Sequence, residues 1–286
     1  MPSICTHLLI AEDALEALPP GPDRTLLESQ RPAYFLGCLA PDLPYFDIFD
    51  RYRGLPLGAV LSPVTHTLEA KLLAWLGWSM PEHNGWAGRL HGLGTLKMLR
   101  AWAAWARPRH SALSAMLTGM LTHLAADEVL HPKIVADSGG TESAESLRKH
   151  RELEINLDLT LLRQRGVAIE SMDYAGLLGI YLGPVDRRGE YLSPSLKHNW
   201  ILASQACDAW PSLTRGEVDA WSRGFAGAMR LLHHSLSPMQ QEKRRFLAKG
   251  EERWRTHFAR EAYLSAHVPR AIRAAQRQLQ GTGVAA

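Results

Sequence analysis

Cysteine is scarce in this chain. Cys5, Cys38 and Cys207 are the only three in 286 residues, they lie far apart, and no C-x-x-C pair occurs. A disulfide framework is excluded on these grounds, and a reducing, cytoplasmic setting is expected. An excess of one charge is also missing. Lys and Arg number 32 against 29 Asp and Glu, a net of +3, which is too small to argue for nucleic acid. No window of 18 apolar residues runs without charge, so no membrane-spanning helix is expected. The opening MPSICTHLLIAEDALEAL has no basic region, and His7, Glu12 and Asp13 cut its apolar run. It does not read as a secretory leader. Strand-like alternation, internal repeats and low-complexity linkers are absent as well.

What remains is a composition that can bury a sizeable core: 46% hydrophobic and 21% charged. Apolar residues recur at spacings of three and four, the helical period. Helices are expected over 4–18, 64–78, 86–106, 110–136, 142–164, 173–183, 196–209, 215–235 and 239–279, the last with a break at Pro269. Residues 31–39 form a short apolar segment, and loops are expected up to residue 63 and over 184–195. The simplest architecture is all-α, one multi-helix domain spanning 1–286. Residues 239–280 stand apart in charge, with 10 Lys or Arg against 4 Asp or Glu. This basic segment reads first as a solvated helix face. A membrane surface or nucleic acid is the second reading, with nothing else in the sequence to support it.

The stretch GMLTHLAADEVLHP, residues 119–132, sets His123, Asp127 and His131 four apart in an apolar helical run. Residues i and i+4 are neighbours on one helix face. Three ionisable groups beside Leu121, Leu124 and Leu130 are costly to bury unless they are paired or metal-bound. A carboxylate between two imidazoles can bridge two ions, one on each oxygen. His150 and Glu154, in KHRELEINLD, repeat the spacing on the next expected helix. His66 lies in SPVTHTLEA, Asp42 in FLGCLAPDLP at a chain break, and His7 on the first helix. Imidazole and carboxylate form an N/O ligand set suited to zinc, with iron or manganese also accepted.

The ordered set His7, Asp42, His66, His123-x3-Asp127-x3-His131-Pro132 and His150-x3-Glu154 resembles the zinc-dependent phospholipase C family, which shares its fold with fungal single-strand nucleases. MPSICTHLLIAEDAL, LGCLAPD and GMLTHLAADEVLHP carry the resemblance. It covers residues 2 to about 158, with Asp158 continuing the pattern. It implies an all-α fold holding up to three zinc ions in a cleft. Asp42, His66, His123 and Asp127 would hold one ion. Asp127 would bridge to a second, shared with His7 and the freed amine of Pro2. His131, His150 and Glu154 would hold the third. The implied substrate is a small phosphate ester, most naturally a phosphodiester, cleaved by a metal-activated water that Asp42 orients or deprotonates.

Three other readings stay open: a nuclease or nucleotide phosphatase on the same scaffold, a non-catalytic metal-stabilised scaffold or binding protein, and a biosynthetic metalloenzyme with a different reaction. Tyr45 and Phe46, with Phe49 nearby, follow Asp42 and are candidates to contact substrate. Core packing explains them equally well. His233 and His234 lack a carboxylate at ligand spacing. Arg187 and Arg188 read as a solvated turn. Trp75, Trp78, Trp102 and Trp105 fall at helical spacing and read as core.

Overall fold

The computed structural model describes residues 4–46, 85–92, 94–140, 143–207, 210–231, 238–250 and 263–281. The described residues are helical without a strand, as the apolar periodicity requires. In chain order the helices are α1 (Ile4–Glu16), α2 (Pro22–Ser29), α3 (Arg31–Gly37), α4 (Gly85–His91), α5 (Thr95–Ala106) and α6 (Ser111–Ser138). They continue with α7 (Ala144–Gln164), α8 (Tyr174–Leu182), α9 (Pro194–Gln205), α10 (Arg215–Leu231), α11 (Pro238–Arg245) and α12 (Val268–Gly281). Short 3-10 turns cover Ala40–Phe46 and Ile169–Ser171, and π-turns cover Phe246–Gly250 and Tyr263–His267. No helix among the described residues is long and apolar enough to cross a membrane.

Among the described residues these helices differ from the expected ranges in several places, for local reasons. α2 buries only Leu27, so it has no apolar stripe to read; Pro22 at its first position supplies the start, where a missing N–H costs nothing. The expected helix over 86–106 is two. Gly94 has φ 92°, a left-handed conformation that strains any side chain. The Thr95 hydroxyl donates to the carbonyls of Arg89 and Gly92 and so closes the end of α4. At the C-terminus the break precedes Pro269, which sits in the first turn of α12, a position that tolerates proline. The expected helix over 64–78, and with it Trp75 and Trp78, lies outside the described residues, as do Phe49, His233 and His234.

α6 is the spine of the fold: α1, α3, α5, α7 and α12 all pack on it. Leu113, Ala115, Met116, Leu117, Met120 and Leu121 are fully buried around it, the pattern of a helix enclosed by others. It ends at Gly139, φ 83°, where the N–H of Gly140 donates back to the Val135 carbonyl at 2.9 Å. α7 starts on Ser143, whose hydroxyl accepts the Ser146 N–H at 3.0 Å. The crossing of α3 and α6 is backbone on backbone. A methyl group at Gly37 would lie 1.9 Å from the Met116 carbonyl oxygen, and one at Gly119 would lie 2.1 Å from that of Tyr34.

Candidate metal centre

That close crossing positions the first candidate ligand. His123 is enclosed, and its Nδ1 lies 2.8 Å from the carbonyl of Cys38, the residue that ends α3. A carbonyl only accepts, so Nδ1 carries a proton and Nε2 is the nitrogen that faces the cluster, open to a proton or a metal. His7 is placed by a different device. Asp158, on α7, takes the Cys5 N–H on Oδ2 at 3.2 Å, and the Thr6 N–H and hydroxyl on Oδ1 at 2.6 and 2.7 Å. These are orphan donors of the first turn of α1, and the carboxylate also suits the positive end of the helix. Asp158 therefore anchors His7 rather than joining the ligands. The His7 ring stacks on His123 with centroids 4.0 Å apart.

Around these two rings the carboxylates divide their oxygens. Asp127 Oδ1 lies 3.2 Å from His7 Nε2, while Oδ2 lies 3.2 Å from His123 Nε2. Asp42, held in the 3-10 turn by its own N–H donating to the Leu39 carbonyl, sets Oδ2 3.8 Å from His123 Nε2. A third imidazole completes the group. His91 Nε2 is 3.2 Å from His123 Nε2, 3.3 Å from Asp42 Oδ1 and 3.7 Å from Asp127 Oδ2. One turn further along α6, His131 Nε2 lies 3.7 Å from Glu154 Oε1, and His150 Nε2 lies 3.1 Å from the same oxygen. Ligand-type atoms thus converge within 4.8 Å in three sets: His7, Asp42 and His123; His91, His123 and Asp127; and His131, His150 and Glu154.

The family model of zinc-dependent phospholipase C matches residues 6–201, a span that contains all three sets. The chain belongs to the zinc-dependent phospholipase C family. No curated protein matches it, and no solved structure does. Zinc is the metal that this family and the donor set point to, and the site's polar atoms fit it. Asp42 Oδ2 and Glu154 Oε2 are buried without a hydrogen-bond partner among the described residues. Such atoms are costly unless something charged faces them. Two imidazole Nε2 atoms at 3.2 Å satisfy each other only through a shared proton, or both turn their lone pairs on a cation between them.

The protonation pattern of this phospholipase C-family centre follows from the same contacts. Burial alone raises the Asp127 carboxyl, but the charge and hydrogen bond of His123, with those of His7, outweigh it and hold the group well below the usual carboxylate range. Glu154 behaves alike: burial opposes ionisation, yet its bonds with His131 and His150 bring it to about 2. Burial lowers the His7 imidazole, and the bond to Asp127 together with the charges of Asp127, Asp42 and Asp158 more than restores it, so its value is raised. His131 is raised by its bond to Glu154 against a smaller effect of burial. Metal and protons therefore compete for the same nitrogens.

The family resemblance placed His7, Asp42, His123 and Asp127 in one centre, and the chain brings them together. It grouped His131, His150 and Glu154, and these meet as well. Pro2 and His66 lie outside the described residues. His91 was missed, because 86–106 reads as one continuous helix; the only hint was its place beside Gly92-Leu93-Gly94, a break like the one that frees Asp42. Tyr45 is 43% exposed, with its ring centroid 5.9 Å from that of His91, at the rim of the centre. Burial and the charges of Asp42 and Asp127 raise its phenol pKa. Phe46 is corrected: it is 1% exposed and packs edge-on against Phe225 at 5.2 Å, so no ring face is offered to a ligand. Arg187 and Arg188 are exposed in a turn closed by Asp186. Cys5 and Cys38 are buried, and burial pushes both thiols up, which leaves them inert.

Proposed function

We propose that the protein is a zinc-dependent phosphoesterase that cleaves a phosphodiester with an activated water. The observation that carries this reading is the division of Asp127, one oxygen toward His7 and the other toward His123. This is the arrangement of a carboxylate shared between two cations. His91, His123, Asp42 and Asp127 are then the ligands of one ion, His7 and Asp127 of the second, and His131, His150 and Glu154 of the third.

Bound zinc would supply Lewis acidity: it lowers the pKa of water toward about 7 and neutralises charge on phosphoryl oxygens. The chain's own groups do the rest. His123, with Nδ1 fixed by the Cys38 carbonyl, cannot rotate out of register. Asp42 holds a buried oxygen without a hydrogen-bond partner among the described residues, and it orients the attacking water and accepts its proton. Asp127 and His131 are one turn apart on α6, about 6 Å along its axis. The second and third sets can therefore flank a single phosphate group. Tyr45 at the rim contacts what the phosphate carries.

Catalysis is favoured over a structural staple because the centre is open. The side chains of His91 and His131 are 21% and 47% exposed, whereas a structural zinc site is closed by four protein ligands. The test is metal analysis of the full chain with its native N-terminus, coupled to turnover of soluble phosphodiesters. Zinc-dependent turnover with about three ions per chain is expected, and Asp127→Ala should lose more than one ion together with activity. Retention of all ions but one in Asp127→Ala would sink the bridging role. Full zinc loading without turnover of any phosphate ester would sink the enzyme.

A further inference from the structure

A second concave site lies beside α6, away from the ligand row. α6 and α12 enclose a groove of about 530 Å³, lined by Glu128, Lys133, His267, Arg270 and Arg277 with small apolar residues between them. Its volume is that of a small-molecule site. Arg270 and Arg277 are seven residues apart on α12, two turns on one face and about 10 Å along the axis. Both are exposed, and neither makes an ion pair with a carboxylate among the described residues. Lys133 faces them from α6. Asp137 takes the Lys133 ammonium and the Tyr263 hydroxyl, and Lys133 also lies 5.5 Å from the centre of the Tyr263 ring. Lys133 lines the groove while sharing its charge with Asp137. His267 reports the field: burial, then the charges of Arg270 and Lys133, lower its pKa. Glu128 is the carboxylate among the described residues that lines the groove, against the guanidinium groups of Arg270 and Arg277.

We propose that this groove is a phosphate-binding site distinct from the metal centre, with Arg270 and Arg277 as its anion ligands and Lys133 as the third cation. Guanidinium groups hold phosphate oxygens in a bidentate fork, and two of them on one helix face can converge on a single phosphate group. The ligand class is a phosphate mono- or diester. It is supplied either by a soluble phosphorylated compound or by the headgroup of an anionic lipid.

The local readout is the His267 ring. Full-length zinc-loaded protein labelled with 15N-histidine is titrated with inorganic phosphate while the imidazole resonances are followed. A saturable shift of His267 is expected, with at least a tenfold loss of affinity in Arg270→Gln/Arg277→Gln. Arg273→Gln, on the same helix but outside the groove, should bind within twofold of the parent. An unsaturable shift, an unchanged double variant, or equal weakening by Arg273→Gln would each overturn the proposal in favour of diffuse surface charge. Co-sedimentation with phosphatidylglycerol but not phosphatidylcholine vesicles, lost in the double variant, identifies a lipid headgroup as the source. Saturable phosphate binding without vesicle binding identifies a soluble one. Turnover of a small soluble phosphodiester by the same variants reads the metal centre separately and should be unchanged.

Discussion

Gly119→Ala adds one methyl group to the spine of the fold, and its consequence can be worked from the α3–α6 crossing. The new carbon would lie 2.1 Å from the Tyr34 carbonyl oxygen and 2.9 Å from the Cys38 nitrogen. Both obstacles are backbone, so no side-chain rotation relieves them, and α3 must move away by about 1 Å. Overpacking of this kind costs about 1–3 kcal/mol and occasionally more. Alanine's advantage over glycine inside a helix returns only about 0.5–1 kcal/mol. The displacement also carries the Cys38 carbonyl away from His123 Nδ1, now 2.8 Å apart. A buried donor left without its acceptor costs about 1–3 kcal/mol, so a net destabilisation of about 2–4 kcal/mol is expected. Loss of the group that orients a ligating imidazole typically weakens metal binding about 10–100-fold. Urea unfolding in chelator measures the first effect, and zinc competition with a chromogenic chelator measures the second. Gly179→Ala is the control: it is helical with nothing within 4 Å of the added carbon, and it should gain about 0.5–1 kcal/mol. A Gly119→Ala protein with parental urea midpoint and zinc affinity would refute the claim that this crossing positions His123.

Two further perturbations test other parts of the same construction. Asp158→Asn removes a charge and one acceptor from the start of α1; a loss of about 1–3 kcal/mol is expected, with weaker zinc binding at the His7 ion. Unchanged thermal unfolding and zinc content would show that α1 is anchored elsewhere. In the metal-free protein, the raised His131 contributes stability below its ordinary value of 6.5 and loses it as pH rises through the folded value. The depressed Glu154 contributes above 4.5 and loses it as pH falls toward about 2. Their pair is therefore worth most between pH 4.5 and 6.5. Urea midpoints in chelator should decline above that window while zinc-loaded midpoints do not, and parallel profiles would refute the pairing.

Legibility in the sequence followed the range of the interaction. The i, i+4 rows of His123, Asp127 and His131, and of His150 and Glu154, are properties of single helices, so spacing alone displayed them. His7 and Asp42 do not follow from spacing, because nothing local says that the first turn of α1 and a 3-10 turn meet on α6; the family resemblance supplied them. The role of Asp158 depends on a contact 153 residues away in the chain. His91 depends on Gly94, whose left-handed φ turns a single apolar pattern into two helices. Tyr45 and Phe46 are adjacent and chemically alike, and only the position of Phe225 decides that one is core and the other rim.

α6 reconciles two demands that conflict on most helices. Its buried half must carry no unsatisfied polar group, and Thr118 and Thr122 meet that demand within the helix, donating to the Ser114 and Thr118 carbonyls at 2.8 and 3.1 Å. One residue later the internal solution ends. His123 reaches out to α3 for its acceptor, and from there the row rises out of the core: His123 is enclosed, Asp127 is 17% exposed and His131 is 47% exposed. The ligands thus descend from solvent to core along one rigid element. The enclosed end is fixed by backbone contacts that leave no room for a methyl group, while the other end opens to solvent. A single buried helix can therefore serve as both the mechanical centre of the fold and the wall of a solvent-facing candidate metal site.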